Sequence, residues 1–199
     1  TEELARRGLD PKDPAVAAAL QAFRIGYAPH SWDALTTYLR DQGVSPVASE
    51  AVGFIAQRKT GGGYRDFFRH RLMFAILDVQ GRVVGFSGRV LPDPETGVVD
   101  KETGKYVNSP ESPVYKKSEV LFGMYQARQA VRSCGDAILV EGNFDVVSLH
   151  ARGVSNVIAP LGTAFTAGQG KLLRRYSSSV TLFFDGDAAG AKATRDARE

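Results

Sequence analysis

The sequence predicts an α/β protein in two parts, a mixed region of helices and strands followed by a parallel sheet. Three observations support this prediction. The first part of the 199-residue chain opens with helical patterns and then changes to the apolar runs typical of a hairpin. The second part alternates short buried strands with helices, which favours right-handed crossovers between parallel strands. The composition, 43% hydrophobic and 24% charged, is that of an ordinary globular domain.

The first forty residues predict three helices, over residues 1–8, 14–23 and 31–40. The second of them begins at Asp13-Pro14, a capping residue followed by a proline that favours the first turn. Trp32 lies on the apolar face of the third helix and is therefore expected in the core.

The middle of the chain changes from a helical period to an alternating one. Three successive glycines within residues 59–64 predict a turn or flexible loop, and two apolar runs flank a Gly81 turn. The residues rich in proline, aspartate and glycine at 92–104 predict an exposed loop. The elements predicted here are hairpin strands over residues 71–78 and 83–90, a short strand over 105–109 and a helix over 119–131.

The last third of the chain carries the clearest alternation. Gly153 ends one of its predicted helices, and each strand is a short apolar run. The domain boundary is placed near residues 132–135, which predicts domains over residues 1–133 and 134–199. The strands are predicted over residues 137–140, 156–159 and 180–184, and the helices over residues 143–152, 169–176 and 188–199.

Charge and cysteine content limit the function only loosely. The net charge is +3, but residues 53–92 hold seven basic side chains against two acidic ones, which fits either a polyanionic partner or a solvated face. The single cysteine, Cys134, excludes an internal disulfide and is expected at the edge of the core. No apolar run approaches the roughly 20 residues that a membrane span needs.

Acidic side chains follow two of the predicted parallel strands. Glu141-Gly142 follows the first strand, Asp145 comes one helical turn later, and Asp185 and Asp187 follow the third strand. Ligands of open parallel sheets bind beyond the carboxyl ends of the strands. Carboxylates without nearby histidine or cysteine suit Mg²⁺ or Mn²⁺ rather than zinc. Asp185-Gly186-Asp187 alone is more typical of a turn than of a metal site, so the prediction depends on the combination.

These acidic segments resemble the two opening motifs of the Toprim superfamily of nucleic-acid enzymes. The first is Val140-Glu141-Gly142-Asn143-Phe144-Asp145 and the second is Phe184-Asp185-Gly186-Asp187-Ala188-Ala189-Gly190. Leu161-Gly162-Thr163 between them resembles a loop that primases carry at this place, where backbone N–H groups could contact a phosphate.

The upstream sequence resembles the RNA-polymerase core of bacterial DnaG-type replicative primases. The resemblance runs in order through almost the whole chain. It is carried by Arg7-Gly8-Leu9, Ile25-Gly26-Tyr27-Ala28-Pro29, the segments 68–78 and 81–91, Lys105-Tyr106-Val107-Asn108-Ser109-Pro110-Glu111 and Tyr115-Lys116-Lys117-Ser118.

The resemblance implies template-directed synthesis of short RNA primers by metal-dependent nucleotidyl transfer. Glu141, Asp145, Asp185 and Asp187 are the implied catalytic and metal-binding carboxylates, for Mg²⁺ or Mn²⁺, with no zinc in this chain. Single-stranded DNA and ribonucleoside triphosphates are the implied ligands, and Tyr106 could stack on a base or simply pack. The implied nucleic-acid or nucleotide contacts are Arg7, Arg69, Arg71, Arg89, Lys105, Tyr106 and Lys117.

The same resemblance implies where the protein acts and with which partners, and the chain also differs from the family in several ways. The setting is a monomeric core in the bacterial cytoplasm, at the replisome and away from membranes, with the replicative helicase and single-strand-binding protein as partners of the full-length protein. A third acidic motif, a zinc-binding domain and a helicase-binding domain of the family are not found in the chain, so the chain alone is expected to be an incomplete core. The alternatives are another Toprim enzyme, of nuclease or topoisomerase type, and a nucleic-acid-binding segment without activity of its own.

Overall fold

The computed structural model describes residues 2–99, 103–162 and 164–197. By backbone contacts the chain divides into two compact units. The first unit combines Thr1–Arg24, Ile76–Val83 and Lys117–Glu199, and the second combines Ile25–Ala75 and Val84–Lys116. The predicted domains divide the chain at a single point, between residues 133 and 134. That boundary remains a prediction.

Helices and strands are mixed in the first part of the chain and alternate from residue 124 onward. The helices are α1 (Glu2–Arg6), α2 (Pro14–Ala22), α3 (Ala34–Asp41), α4 (Pro46–Ala51), α5 (Met124–Cys134), α6 (Asn143–Ala151), α7 (Ala167–Leu173) and α8 (Ala188–Asp196). The strands are β1 (Gly26–Ala28), β2 (Ile55–Gln57), β3 (Tyr64–Asp66), β4 (Arg71–Leu77), β5 (Val83–Val90), β6 (Tyr106–Asn108), β7 (Asp136–Leu139), β8 (Val157–Ile158) and β9 (Ser179–Leu182).

The first unit contains a three-stranded sheet in the order β8-β7-β9. Both pairings of β7 are parallel, with Leu139 opposite Ile158 on one side and Leu182 on the other. Helices α5 and α7 cover apolar side chains of this sheet, and Leu121, Val131 and Leu173 are fully or almost fully buried in the same cluster. The predicted α/β class and its parallel sheet are therefore confirmed.

The N-terminal helices belong to the same unit as this sheet. Helix α2 packs on α6, and the Phe23 ring that ends α2 contacts the rings of Phe122 and His150 at centroid distances of 5.5 and 4.9 Å. His150 Nε2 lies 3.0 Å from the Val157 carbonyl oxygen, and burial lowers the pKa of this imidazole. His150 therefore has a structural role in the packing of α6.

The second unit holds a four-stranded sheet in the order β1-β4-β5-β6 and a separate two-stranded sheet, β2-β3. The predicted hairpin of β4 and β5 is confirmed, and the predicted short strand corresponds to β6. Strands β1, β2 and β3 and helix α4 were not predicted, because segments of three to six residues carry too little periodicity. The glycine-rich turn lies between β2 and β3, where Gly61, Gly62 and Gly63 all have positive φ.

The predicted position of Trp32 is wrong. Its residue surface is 58% exposed, and α3 begins at Ala34 rather than near residue 31. The helix starts there because its first N–H groups bind a side chain from β3, 30 residues further along the chain. The carboxylate of Asp66 accepts bonds from Leu35 N and Thr36 N, each at 2.8 Å. The segment before α3 is consequently an irregular turn that leaves the indole in solvent.

Two further boundaries and the exposure of one residue differ from the predictions. Residues 120–123 leave the predicted helix because Phe122 forms a bridge with Ala159, so a 3₁₀ turn at Lys117–Glu119 precedes α5. Strand β9 ends at Leu182, and the next side chain, Phe183, is exposed. Cys134 is exposed at the end of α5 rather than at the core edge. The first residue of the helix predicted over residues 1–8 lies outside the described residues.

We expect Asp66→Asn to destabilise the protein by about 2 kcal/mol, because the buried carboxylate, 2% exposed, holds the start of α3. An amide can accept on one side only, and its NH₂ group would face a backbone N–H donor. The free energy of unfolding in urea checks this result. Asp33→Asn is the matched control, because Asp33 makes no side-chain capping bond to α3. Equal stability of Asp66→Asn and the wild type would contradict the prediction.

Candidate functional site

Two predicted acidic residues meet at the carboxyl-terminal edge of the parallel sheet. Strands β7 and β9 end at the paired residues Leu139 and Leu182, and Glu141 and Asp185 follow them by two and three residues. Glu141 Oε1 accepts a hydrogen bond from the backbone N–H of Asp185 at 2.9 Å. The Glu141 side chain therefore joins the two acidic segments that the sequence places 44 residues apart.

Helix α8 approaches both acidic segments at Gly190. A Cβ atom at this position would lie 2.0 Å from the Asp185 carbonyl oxygen and 2.8 Å from Glu141 Oε1, closer than any carbon atom can approach. Gly190 N–H donates to Asp187 Oδ1 at 2.8 Å, so Asp187 caps α8. The absence of a side chain at Gly190 is thus what allows the helix to begin directly behind the acidic loop.

Asp145 lies in the first turn of α6, directly after the Glu141-Gly142 segment. Its Oδ2 atom lies 3.0 Å from the place that a Cβ atom on Gly142 would occupy. A carboxylate in the first turn is stabilised by the positive end of the helix dipole. All four predicted carboxylates, those of Glu141, Asp145, Asp185 and Asp187, are exposed.

These carboxylates suit a hard divalent cation by their chemistry. Carboxylate oxygens are the ligands that Mg²⁺ and Mn²⁺ prefer. Within the described part of the chain, Glu141 Oε1 binds a backbone N–H and Glu141 Oε2 receives no protein donor, which leaves this oxygen for a cation. No group of three or more histidine, cysteine, aspartate or glutamate side chains in residues 2–99, 103–162 and 164–197 has the geometry of a metal site.

Arg7 lies beside the first acidic segment, in the same compact unit. Its guanidinium carbon is 4.6 Å from the ring centroid of Phe144, the residue before Asp145. Arg7 Nε also donates to Glu3 Oε1 at 2.6 Å, one helical turn away. The positive charge that the sequence predicts at Arg7 is therefore held against the acidic segment 141–145.

Arg71 occupies a different environment, because its residue surface is only 4% exposed. Arg71 Nη1 donates to the Gly88 carbonyl oxygen at 2.9 Å, and both terminal nitrogens donate to that of Gly104 at 3.1 Å. Burial, and then the neighbouring charge of Arg69, lower the pKa of Arg71. The guanidinium therefore ties strand β5 and the loop before β6 to strand β4, and its contact with nucleic acid remains a prediction.

Arg89 and Tyr106 form a pair on neighbouring strands. Arg89 Nη1 donates to the Tyr106 hydroxyl oxygen at 3.2 Å, and the guanidinium carbon lies 5.2 Å from the ring centroid. The Tyr106 ring also lies 6.5 Å from that of Phe74, so it packs within its own unit. Lys105 is exposed beside this pair, whereas Lys117 is partly buried in the 3₁₀ turn of the other unit.

Two protein families match the chain, one in its first part and one in its last third. Residues 4–128 match the family described as the DNA primase catalytic core, N-terminal domain, and residues 138–199 match a Toprim-like family. The chain belongs to the DNA primase catalytic-core family. The resemblance carried by the sequence motifs is thereby confirmed, and the match to the primase-specific region disfavours the other Toprim enzymes.

Several bacterial primases are similar to this primase-core chain. The DNA primase of Synechocystis sp. is 44% identical over 192 residues, which are 95% of this chain and 29% of that protein. The DNA primase of Aquifex aeolicus is 41% identical over 99% of this chain and 36% of that protein. The chain thus spans about a third of the length of these curated relatives, or less.

Solved primase structures share the fold of this core. The crystal structure of the zinc-binding and RNA-polymerase domains of the Aquifex aeolicus primase matches with a TM-score of 0.84 and 41% identity, over 98% of this chain and 45% of that one. The RNA-polymerase domain of Mycobacterium tuberculosis primase in complex with double-stranded DNA matches with a TM-score of 0.83 and 37% identity, over 96% and 58%. A DnaG primase catalytic domain bound to single-stranded DNA matches with a TM-score of 0.79 and 35% identity, over 98% and 56%.

Sequence reasoning missed one surface feature of this core. Trp32 is covered on one side by Arg69, whose guanidinium carbon lies 4.0 Å from the indole centroid. The excess of basic residues between positions 53 and 92 was the available signal, but nothing local to Trp32 indicated that the indole is exposed. As a separate finding, no helix among the described residues is long and apolar enough to cross a membrane.

Proposed function

We propose that this chain forms part of the catalytic core of a bacterial primase, which synthesises RNA primers on a single-stranded DNA template. The observation that carries the proposal is the bond from Asp185 N–H to Glu141 Oε1, because it joins the two acidic segments at one sheet edge. Membership of the primase-core family supports the choice of reaction. The solved relatives that contain DNA support the choice of template.

The proposed metal ligands are the four exposed carboxylates at this edge. Bound Mg²⁺ or Mn²⁺ would supply charge stabilisation for a 3′-hydroxyl attacking an α-phosphate and for the departing pyrophosphate. Glu141 contributes a carboxylate whose orientation is held by the backbone of the neighbouring loop. Asp187 contributes one oxygen while its other oxygen caps α8. The proposed ligands are Glu141, Asp145, Asp185 and Asp187.

The basic residues have a positioning role in this proposal. Arg and Lys side chains neutralise phosphates, and transfer between phosphates depends on positioning more than on a protein nucleophile. Arg7 supports this role best, since it lies against Phe144 beside the acidic segment. The ribonucleotide, helicase and single-strand-binding partners and the replisome location remain predictions. The proposed contacts are Arg7, Arg69, Arg71, Arg89, Lys105, Tyr106 and Lys117.

Primer synthesis from ribonucleotides on single-stranded DNA tests the proposal. The protein to use is a chimera in which this chain replaces the matching segment of the Aquifex aeolicus primase, because the chain spans only 36% of that relative. We expect RNA primers from the chimera in Mg²⁺ or Mn²⁺, and single-stranded DNA binding without synthesis from the chain alone. A folded chimera that cuts the template and makes no RNA would replace the primase proposal with a Toprim nuclease.

A further inference from the structure

A buried glutamine, Gln169, joins the start of helix α7 to the 3₁₀ turn at Lys117–Glu119. The residue is completely buried, with 0% of its surface exposed. Its side-chain Nε2 donates to two carbonyl oxygens, that of Lys117 at 3.1 Å and that of Val120 at 2.9 Å. Both partners belong to the same compact unit as Gln169. One side chain therefore binds the backbone at the beginning and just past the end of this turn.

A capping box at the start of α7 fixes the rest of the Gln169 amide. Gln169 Oε1 accepts from the Thr166 N–H at 3.0 Å, and Thr166 Oγ1 accepts from the Gln169 N–H at 3.2 Å. The Thr166 hydroxyl itself donates to the Ser118 carbonyl oxygen at 2.6 Å. An amide side chain offers two donor hydrogens and one acceptor oxygen, and here all three bind backbone groups. The backbone partners thus determine the orientation of Gln169.

Helix α7 also packs directly against the backbone of the turn. A Cβ atom on Gly168 would lie 2.5 Å from the Ser118 carbonyl oxygen, so the close approach requires glycine. The last carbonyl groups of a short helical turn have no partners within the turn itself. Three carbonyl groups of residues 117–120 instead accept from side chains at the start of α7. The start of α7 therefore sets the position of residues 117–120.

These residues lie at the carboxyl-terminal edge of the parallel sheet, where the acidic segments lie. Phe122 forms an antiparallel bridge with Ala159, the residue after β8, and the Ile158 carbonyl oxygen binds β7 on the opposite side. Phe122 therefore belongs to a further row beyond β8. Because the bridge is antiparallel, residues before Phe122 run beside those after Ala159, past the carboxyl end of β8. With rows about 4.8 Å apart, this row lies about 10 Å from β7, whose carboxyl end leads to Glu141.

We infer that Gln169 is a positioning residue for nucleotide binding. It holds the Lys117 backbone at the acidic edge, so that the Lys117 ammonium group binds a phosphate of the incoming ribonucleoside triphosphate. Lysine is a point charge on a flexible stem, so its value as a phosphate ligand depends on where its backbone is held. Gln169 is itself buried and acts only through this segment. The inference rests on the proposed function, in which Lys117 is one of the nucleic-acid or nucleotide contacts.

A double-mutant cycle in the chimera tests this role. Gln169→Met keeps a side chain of similar length and removes both donors. We expect it to raise the KM for ribonucleoside triphosphates about 10-fold and to change kcat less than about twofold, because a binding contact is misplaced while the carboxylates stay in place. In a Lys117→Ala background, the same substitution should change the KM less than about twofold, because the side chain through which it acts is absent.

Leu173→Ala is the matched control for a loss of stability alone. Leu173 is buried in the same helix, but it belongs to the apolar cluster of the sheet and has no polar group that could hold the turn. It should lower the Tm and leave the KM for ribonucleotides within twofold of the wild type. Thermal unfolding of each variant sets a temperature at which all of them are folded, and the KM values are measured there.

The cycle separates this inference from the proposed function. An equal increase in KM from Gln169→Met with and without Lys117, or no increase at all, overturns the inference and leaves the proposed function intact. An unchanged KM in Lys117→Ala overturns the phosphate contact of Lys117 and the inference with it, while primers from the chimera still support the primase reaction. A folded wild-type chimera that makes no primers overturns both proposals.

Discussion

Replacing Glu141 with glutamine is expected to reduce primer synthesis by the chimera at least about 100-fold. Loss of the groups that merely orient a metal ligand costs about 10- to 100-fold, and loss of a ligand charge costs at least as much. Glutamine retains a side-chain oxygen that can accept the Asp185 N–H, so the contact between the acidic segments should persist. The variant therefore changes the charge of the site and keeps the hydrogen bond between the two acidic segments. The rate of primer synthesis at saturating Mg²⁺ is the measurement.

Two comparisons make the Glu141 result specific. Glu95→Gln removes the same charge from the exposed loop between β5 and β6 and should leave the rate unchanged. Glu141→Ala removes the bond to Asp185 N–H as well and should also lower the thermal stability. Activity of Glu141→Gln within twofold of the wild type would contradict the proposed role of this carboxylate.

Replacing Gly190 with alanine is expected to destabilise the protein by about 1–3 kcal/mol and to remove primer synthesis. The intrinsic helix propensity predicts the opposite sign, since alanine is favoured over glycine in a helix by about 1 kcal/mol. The added methyl group would, however, lie 2.0 Å from the Asp185 carbonyl oxygen and 2.8 Å from Glu141 Oε1. Because one of these atoms is backbone, α8 or the acidic loop must move.

Gly186→Ala is the matched control for Gly190→Ala. It lies in the same acidic segment, but a Cβ atom there would meet nothing within 4 Å, so its stability should stay within about 0.5 kcal/mol of the wild type. Urea unfolding of the chain and primer synthesis by the chimera are the two measurements. Increased stability of Gly190→Ala would show that helix propensity outweighs the overlap and that α8 begins elsewhere.

The sequence predicted the elements whose signal is local. The strands β7 and β8 and the helix α6 lie within one or two residues of their predicted bounds, because each is an apolar or amphipathic run that can be read locally. The acidic motifs could be placed for the same reason, since the end of a predicted strand locates the residues that follow it. The helix start at Ala34 was not predicted because its cap comes from Asp66 rather than from a neighbour in sequence.

The candidate site was likewise predicted only in part. The sequence spacing alone predicted that Glu141 and Asp185 follow strand ends. Glu141 binds the Asp185 N–H because of the register of β7 against β9, which the sequence does not show. Arg71 and Arg69 look alike in the sequence, whereas one guanidinium is buried among carbonyl oxygens and the other lies on an exposed indole. No local pattern distinguishes two arginines that are two residues apart.

The sequence by itself therefore determined the α/β class, the order of the main elements, the primase-core family and the positions of the acidic motifs. The tertiary structure decided which side chains are exposed, which cations keep their charge free and how closely α8 approaches the acidic loop. The physical reason is the range of the interactions. Periodicity, capping and turn residues act within a few positions, whereas burial, pairing and close packing join residues 30 to 50 positions apart, such as Leu35 with Asp66 and Glu141 with Gly190.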